Sequence, residues 1–174
     1  NAHIPVWGTY VTTPTATKEF AKVNVRTQIV LLEGADAGKY SVKTSVWNPN
    51  GQKLTEQTIP LSQIKYNDNS LSQEFIIQTP TLWSPDMPAL YSAETRLYEG
   101  DQLKDIYTTP FGIRSIEIIP NKGFFLNGEK TVFKGVCNHH DLGPLGAAVN
   151  DAAIRRQIRI LKDMGCNAIR TSHN

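Results

Sequence analysis

The chain has 174 residues, room for one domain or two small ones at about 100–150 residues each. Hydrophobic residues make up 40% and charged residues 20%, enough apolar material for a core and too little charge for a disordered chain. A net charge of +2 is too small to imply a nucleic-acid partner. Two cysteines are too few for a disulfide-stapled fold, and apolar runs of four or five residues, such as Ile29–Leu32, are too short to cross a membrane.

Asn1-Ala2 reads as the scar of a cleaved tag, outside the expected fold. Arg170-Thr-Ser-His-Asn174 does not read as a natural end, so both termini are expected to be cuts from a longer protein. The compartment is not legible at the N-terminus; bacterial periplasm and cytoplasm both fit.

Residues 1–121 carry 10 Lys and Arg against 12 Asp and Glu, and residues 122–174 carry 8 against 4. Nine of the ten prolines precede residue 122, whereas both cysteines and three of four histidines follow it. A shift of this kind marks a domain boundary. The expected domains are 3–118 and 119–174.

In the first part apolar residues alternate with polar ones. Val23, Val25, Thr27, Ile29 and Leu31 share one parity, as do Tyr40, Val42, Thr44 and Val46, then Leu71, Phe75 and Ile77, then Tyr91, Ala93, Thr95 and Leu97. Period two predicts half-buried strands. Turn signals separate them at Gly34–Gly38, Asn48–Gly51, Tyr66–Ser70 and Glu99–Asp101, the last tight enough for a hairpin of 91–98 with 102–109. About seven such strands predict an immunoglobulin-like β-sandwich, here without its disulfide, because residues 1–121 hold no cysteine.

The second part changes period. Thr131–Val136 reads as a strand. Asn150 is placed to cap a helix, with Asp151 in its first turn, Ile154, Ile158 and Leu161 on one face, Arg155, Arg156, Arg159 and Lys162 on a solvated one, and Gly165 at its end. Asn167–Arg170 reads as a second strand. Strand, helix and strand predict a βαβ unit with parallel strands, which by itself cannot close a sheet. The pattern therefore predicts a mainly β chain: the sandwich, then the truncated βαβ opening of a (β/α)₈ barrel.

Functional groups of such barrels sit at the C-terminal ends of the strands. Here those ends carry Cys137-Asn-His-His-Asp141 and Arg170-Thr-Ser-His-Asn174, so His139 or His140 should gather with Arg170 or His173 on one rim. A histidine pair in a loop is also commonly just solvated, and Arg170 could be a structural barrel-interior cation. The spacing around Cys137, His139 and His140 matches no metal-ligand pattern, so neither metal nor cofactor is expected. No Ser sits in a nucleophile elbow, and no second carboxylate stands near Asp141 as glycoside chemistry requires.

Several segments have a familiar form. Leu82-Trp-Ser-Pro-Asp-Met-Pro-Ala-Leu-Tyr91, Phe111-Gly-Ile-Arg114, Gly123-Phe-Phe-Leu-Asn-Gly128 followed by Lys134-Gly-Val136, and Arg170-Thr-Ser-His173 resemble, in order, four motifs of glycoside hydrolase family 2. His3–Pro14 resembles the start of the middle domain in its β-galactosidase-type members. The resemblance implies a retaining exo-β-glycosidase, most simply a β-galactosidase, with β-glucuronidase or β-mannosidase as alternatives. It implies that both catalytic Glu residues lie beyond Asn174, so no catalytic residue is assigned here and the chain is expected to be inactive. It implies a substrate rim of His139, Arg170 and His173, with Arg170 supporting the nucleophile carboxylate. The competing reading is a carbohydrate-binding or interaction module, which Trp7, Trp47 and Trp83 do not support, because they share no segment.

Two further expectations follow from the placement of strands. Cys137 and Cys166 should be free thiols at opposite ends of parallel strands, roughly 15 Å apart at about 3.3 Å per residue, with Cys166 the more buried. Val132, Phe133, Val136, Ala168 and Ile169 should leave apolar surface uncovered, and self-association through 123–174 would cover it.

Overall fold

A computed structural model describes residues 2–63, 70–139 and 141–172. Cα proximity divides the chain into two compact units: residues 1–117 with 126–129, and residues 118–125 with 130–174.

The first unit holds seven principal strands: β1 (Thr9–Ala16), β2 (Phe20–Gln28), β3 (Tyr40–Trp47), β4 (Lys53–Pro60), β5 (Ser70–Gln78), β6 (Tyr91–Glu99) and β7 (Gln102–Phe111). They form a three-stranded sheet in the order β1-β2-β5 and a four-stranded sheet in the order β4-β3-β6-β7, with every principal pairing antiparallel. This is the immunoglobulin-like sandwich that the alternation predicts. The hairpin of β6 and β7 turns at Gly100-Asp101, closed by the Glu99–Gln102 pair. At the Asn48 turn, Oδ1 accepts from the amides of Asn50 and Gln52 at 3.0 and 2.9 Å. Of the turn expected over 66–70, all but Ser70 lies outside the described residues.

The inward parity of β2, β3, β5 and β6 is buried. In one sheet Val23 faces Phe75 and Ala21 faces Ile77; in the other Val42 pairs with Leu97 and Val46 with Ala93. The core divides into two apolar clusters, one around Val23, Phe75, Tyr91 and Phe111, the other around Ile4, Tyr40, Leu61 and Leu97. Between them each of four strands places one buried polar residue: Thr27, Thr44, Gln73 and Thr95. Thr44 Oγ1 donates to Gln73 Oε1 at 2.6 Å, and Gln73 Nε2 donates to the carbonyl of Gln57 at 2.9 Å. A hydroxyl has one proton, so Thr95 donates to Thr44 Oγ1 across 3.3 Å. Gln73 belongs to one sheet, and Thr44 and Gln57 to the other. Its amide therefore joins the sheets where no disulfide does, and charge-free hydrogen bonds of this kind contribute about 1 kcal/mol each.

Beyond β7 the chain forms β8 (Ile116–Ile119), β9 (Gly123–Leu126) and β10 (Glu129–Lys130), hydrogen-bonded in that order. The turn residue Asn127 sits at φ 53°, the left-handed conformation that Asn tolerates better than most residues. Its Oδ1 accepts from the Ser115 amide and its Nδ2 donates to the Trp83 carbonyl, both at 3.0 Å, while its own N–H bonds the Ser115 carbonyl. The Trp83 N–H donates to the Ile113 carbonyl at 2.7 Å, and the Arg114 guanidinium lies 4.7 Å from the centre of the Trp83 ring. A Cβ on Gly112 would come within 2.8 Å of that ring, so no larger residue fits.

The second unit contains β11 (Gly135–Asn138), α1 (Asp151–Asp163) and β12 (Ala168–Thr171), with β11 and β12 parallel. The first barrel strand begins at Gly135 rather than at Thr131. Residues 131–134 are bonded instead to individual groups: the Thr131 amide to the Phe124 carbonyl, the Lys134 amide to Asn167 Oδ1 at 2.8 Å, and the Val132 carbonyl to Asn167 Nδ2 at 2.9 Å. An asparagine side chain thus substitutes for a ladder, and alternation does not foresee that.

Helix α1 starts and stops as its sequence dictates. Asn150 Oδ1 accepts from the Ala153 amide at 2.9 Å. At the other end Gly165, at φ 87°, donates to the Lys162 carbonyl and Cys166 donates to that of Leu161, a Schellman closure. The partly covered positions of the helix are Ala153, Gln157 and Leu161, whereas Ile154 and Ile158 remain 37% and 49% exposed. The expected face of Ile154, Ile158 and Leu161 is thus displaced, because a two-stranded sheet covers only a narrow strip of helix. Arg155, Arg156, Arg159 and Lys162 are exposed, as expected.

On β4, Glu56 accepts from Lys43 Nζ at 2.9 Å, Ser45 Oγ at 2.8 Å and Lys53 Nζ at 3.1 Å. These donors, Lys43 foremost, hold its carboxyl at about 2, against 4.5 ordinarily. The folded state therefore gains from the charged Glu56 above pH 4.5, and that gain is lost as pH falls from 4.5 towards 2. Urea unfolding across this window should show a shallower acid loss in Glu56→Gln than in the native chain. Parallel curves would contradict the assignment.

Candidate functional site

In β11 and β12 the register pairs Gly135 with Ala168, Val136 with Ile169, Cys137 with Arg170, and Asn138 with Thr171. The strands approach closely where they start: a Cβ on Gly135 would lie 2.8 Å from the Ala168 carbonyl oxygen. Alternation then sorts the side chains onto two faces. Asn138, Ile169 and Thr171 line a cleft with Gln157 and Ile158 of α1, and Asn138 Nδ2 reaches Gln157 Oε1 at 3.4 Å. Cys137 and Arg170 take the opposite parity, away from the helix, which is the interior side of a barrel.

Arg170 is held on that face. Its Nη1 donates to Ser172 Oγ at 3.1 Å and approaches Cys137 Sγ at 4.0 Å. Ser172 is fully buried, and its amide donates to the Asn138 carbonyl at 3.2 Å, extending the parallel ladder by one bond. A guanidinium carries five N–H groups in a planar fork, so with Nη1 occupied the Nε and Nη2 protons are left for another acceptor. Among the described residues no partner takes them.

Of the residues the sequence singled out, Arg170 lies at the expected strand end. His139 is exposed and lines the cleft on the helix side, together with Asp141 and Leu142. His140 and His173 lie outside the described residues. The structure thus gathers Arg170 with Cys137 and Ser172. The expectation of a strand over 131–136 hid this, because it placed Cys137 beyond the strand end rather than beside Arg170. The signal for Ser172 was present in its i+2 spacing from Arg170. Both cysteines are free thiols; Cys137 is exposed and Cys166 partly covered, in the expected order.

A seven-stranded sandwich followed by a parallel βαβ unit with an arginine at its strand end defines a class: a β-sandwich joined to the opening of a (β/α)₈ barrel. The chain belongs to the glycosyl hydrolases family 2: residues 2–114 match that family's model, and residues 117–174 match the model of its TIM-barrel domain. It is 41% identical to the β-galactosidase BoGH2A of Bacteroides ovatus over 172 residues, covering 99% of this chain and 20% of that protein. A β-glucuronidase of Bacteroides fragilis is 30% identical over 165 residues, covering 94% of this chain and 23% of its own length. Among solved structures, a glycosyl hydrolase family 2 member from Bacteroides cellulosilyticus superposes with a TM-score of 0.90 at 37% identity, covering 99% of this chain and 24% of that one. A Bacteroides uniformis β-glucuronidase superposes at 0.82 with 29% identity, covering 99% and 22%. The chain therefore spans about a fifth of the length of the curated relatives it matches.

Proposed function

We propose that this chain is a segment of a retaining exo-β-glycosidase acting on terminal β-D-galactosides. The supporting observation is identity to a β-galactosidase over nearly the whole chain, higher than to the β-glucuronidase of Bacteroides fragilis. A β-glucuronidase is the second reading, favoured by the relatives of that name in both comparisons. In this reading residues 3–118 form the sandwich domain and residues 119–174 open the catalytic barrel. Arg170 and His173 contact the sugar and a carbohydrate is the partner, whereas His139, expected beside them, lines the cleft on the helix side instead.

The chemistry of Arg170 suits that role. A guanidinium fork beside a carboxylate keeps it ionised and oriented, as a glycosidase nucleophile requires. Turnover needs two carboxyl groups about 5–5.5 Å apart. After residue 129 the chain carries only Asp141, Asp151 and Asp163, the last two at the ends of α1.

The purified 174-residue chain should leave nitrophenyl β-galactoside unhydrolysed, while a longer protein containing this segment should hydrolyse it faster than the β-glucuronide. Turnover by the short chain above a contaminant control, or a preference for the glucuronide, would overturn this reading.

For the 174-residue chain by itself, self-association through residues 123–174 is part of the proposal. Val132 is 64% and Phe133 60% exposed, and Ile169 is 41% exposed. Burying such side chains contributes about 25 cal/mol per Å². Sedimentation should show concentration-dependent dimers that a Phe133→Asp substitution weakens. A strict monomer at all concentrations would contradict it.

A further inference from the structure

We propose that Ser172 is the positioning residue of Arg170, and that it selects which edge of the guanidinium is offered to an anionic group. This inference rests on the reading of Arg170 as the support of a carboxylate and extends it to a residue with no other assigned part.

The geometry is specific. Ser172 follows Arg170 by two residues, so both side chains leave the backbone on one face. Its amide is fixed by the Asn138 carbonyl on β11, and its side chain is fully buried, so the hydroxyl is a stationary acceptor. It takes one proton of Nη1 at 3.1 Å, and Cys137 Sγ stands 4.0 Å from the same nitrogen. Cys137 is the register partner of Arg170 across the parallel pair, so one acceptor comes from β11 and the other from the residue just past β12. With Nη1 engaged from both sides, rotation about the guanidinium bonds is hindered. The Nε and Nη2 protons then form the pair that a carboxylate accepts in bidentate fashion. A lysine could not be held in this way, because an ammonium has no second edge to present.

Arginine side-chain NMR of the whole chain reads this without any sugar. The native chain should show a cross-relaxation contact between the Arg170 Nη1 protons and the Ser172 side chain, with slowed guanidinium rotation. In Ser172→Ala that rotation should speed up at least fivefold while the amide spectrum of the remaining residues is retained. Ser172→Thr, which keeps the hydroxyl, should restore the slow rotation. Rotation in Ser172→Ala within twofold of the native rate would overturn the proposal. So would absence of the Arg170–Ser172 contact in the native chain, a measurement that holds even if a variant fails to fold. Because the spectrum is recorded without substrate, failure of the glycoside assays would remove the carbohydrate reading and leave this result standing. Loss of the Arg170–Ser172 signature would do the reverse.

Discussion

The side chain of Asn127 ties the segment that follows β7 to the Trp83 loop. One amide bridges two separate stretches of chain, accepting from Ser115 and donating to the Trp83 carbonyl. The left-handed backbone that aims it is one that few other residues adopt without strain. Around that bridge the ring of Trp83 lies under Arg114 and against the bare Cα of Gly112. Three of the four motifs that carry the family resemblance, those around Trp83, Phe111–Arg114 and Gly123–Gly128, meet in this one clasp. They report a way of tying the end of the sandwich rather than a way of cutting a sugar. The resemblance is accordingly firm about the family and weak about the substrate.

A second constraint runs through the sandwich. Four strands each interrupt their buried apolar parity with one polar residue, Thr44 directly opposite Thr95, and Gln73 carries hydrogen bonds from one sheet to the other. A buried amide left unpaired costs about 1–3 kcal/mol, so this belt favours one register of the two sheets over neighbouring ones. The apolar clusters on either side supply the bulk of the driving force, and the belt supplies the register.

Much of this was legible in the chain. Period two locates β2, β3, β5 and β6, the Glu99–Asp101 turn adds β7, and Asn150 and Gly165 mark the ends of the helix, because these signals are local; β1 and β4 bury no residue and carry no such signal. What escaped sequence reasoning depends on groups far apart in the chain. The first barrel strand starts at Gly135 because the Asn167 side chain, more than thirty residues away, takes the hydrogen bonds of Lys134 and Val132. The exposed Ile154 and Ile158 read as a core face, yet their covering depends on how wide a sheet lies beneath them. At the candidate site, Arg170 stood out by its place at a strand end. Its neighbours Cys137 and Ser172 emerged only with the register.

The Asn127 amide holds the Trp83, Phe111–Arg114 and Gly123–Gly128 segments together, and a matched set of substitutions at that position reads its contribution. Asn127→Gly keeps the left-handed backbone and removes both side-chain hydrogen bonds, and Asn127→Asp keeps only the acceptor for Ser115. Urea unfolding should show Asn127→Gly less stable than the native chain by about 2 kcal/mol, with Asn127→Asp in between. In a chain with Trp7 and Trp47 replaced by Phe, the remaining Trp83 fluorescence should respond at the same midpoint as the circular dichroism of the sandwich. A loss in Asn127→Gly within about 0.5 kcal/mol of zero, with the spectrum unchanged, would contradict the account.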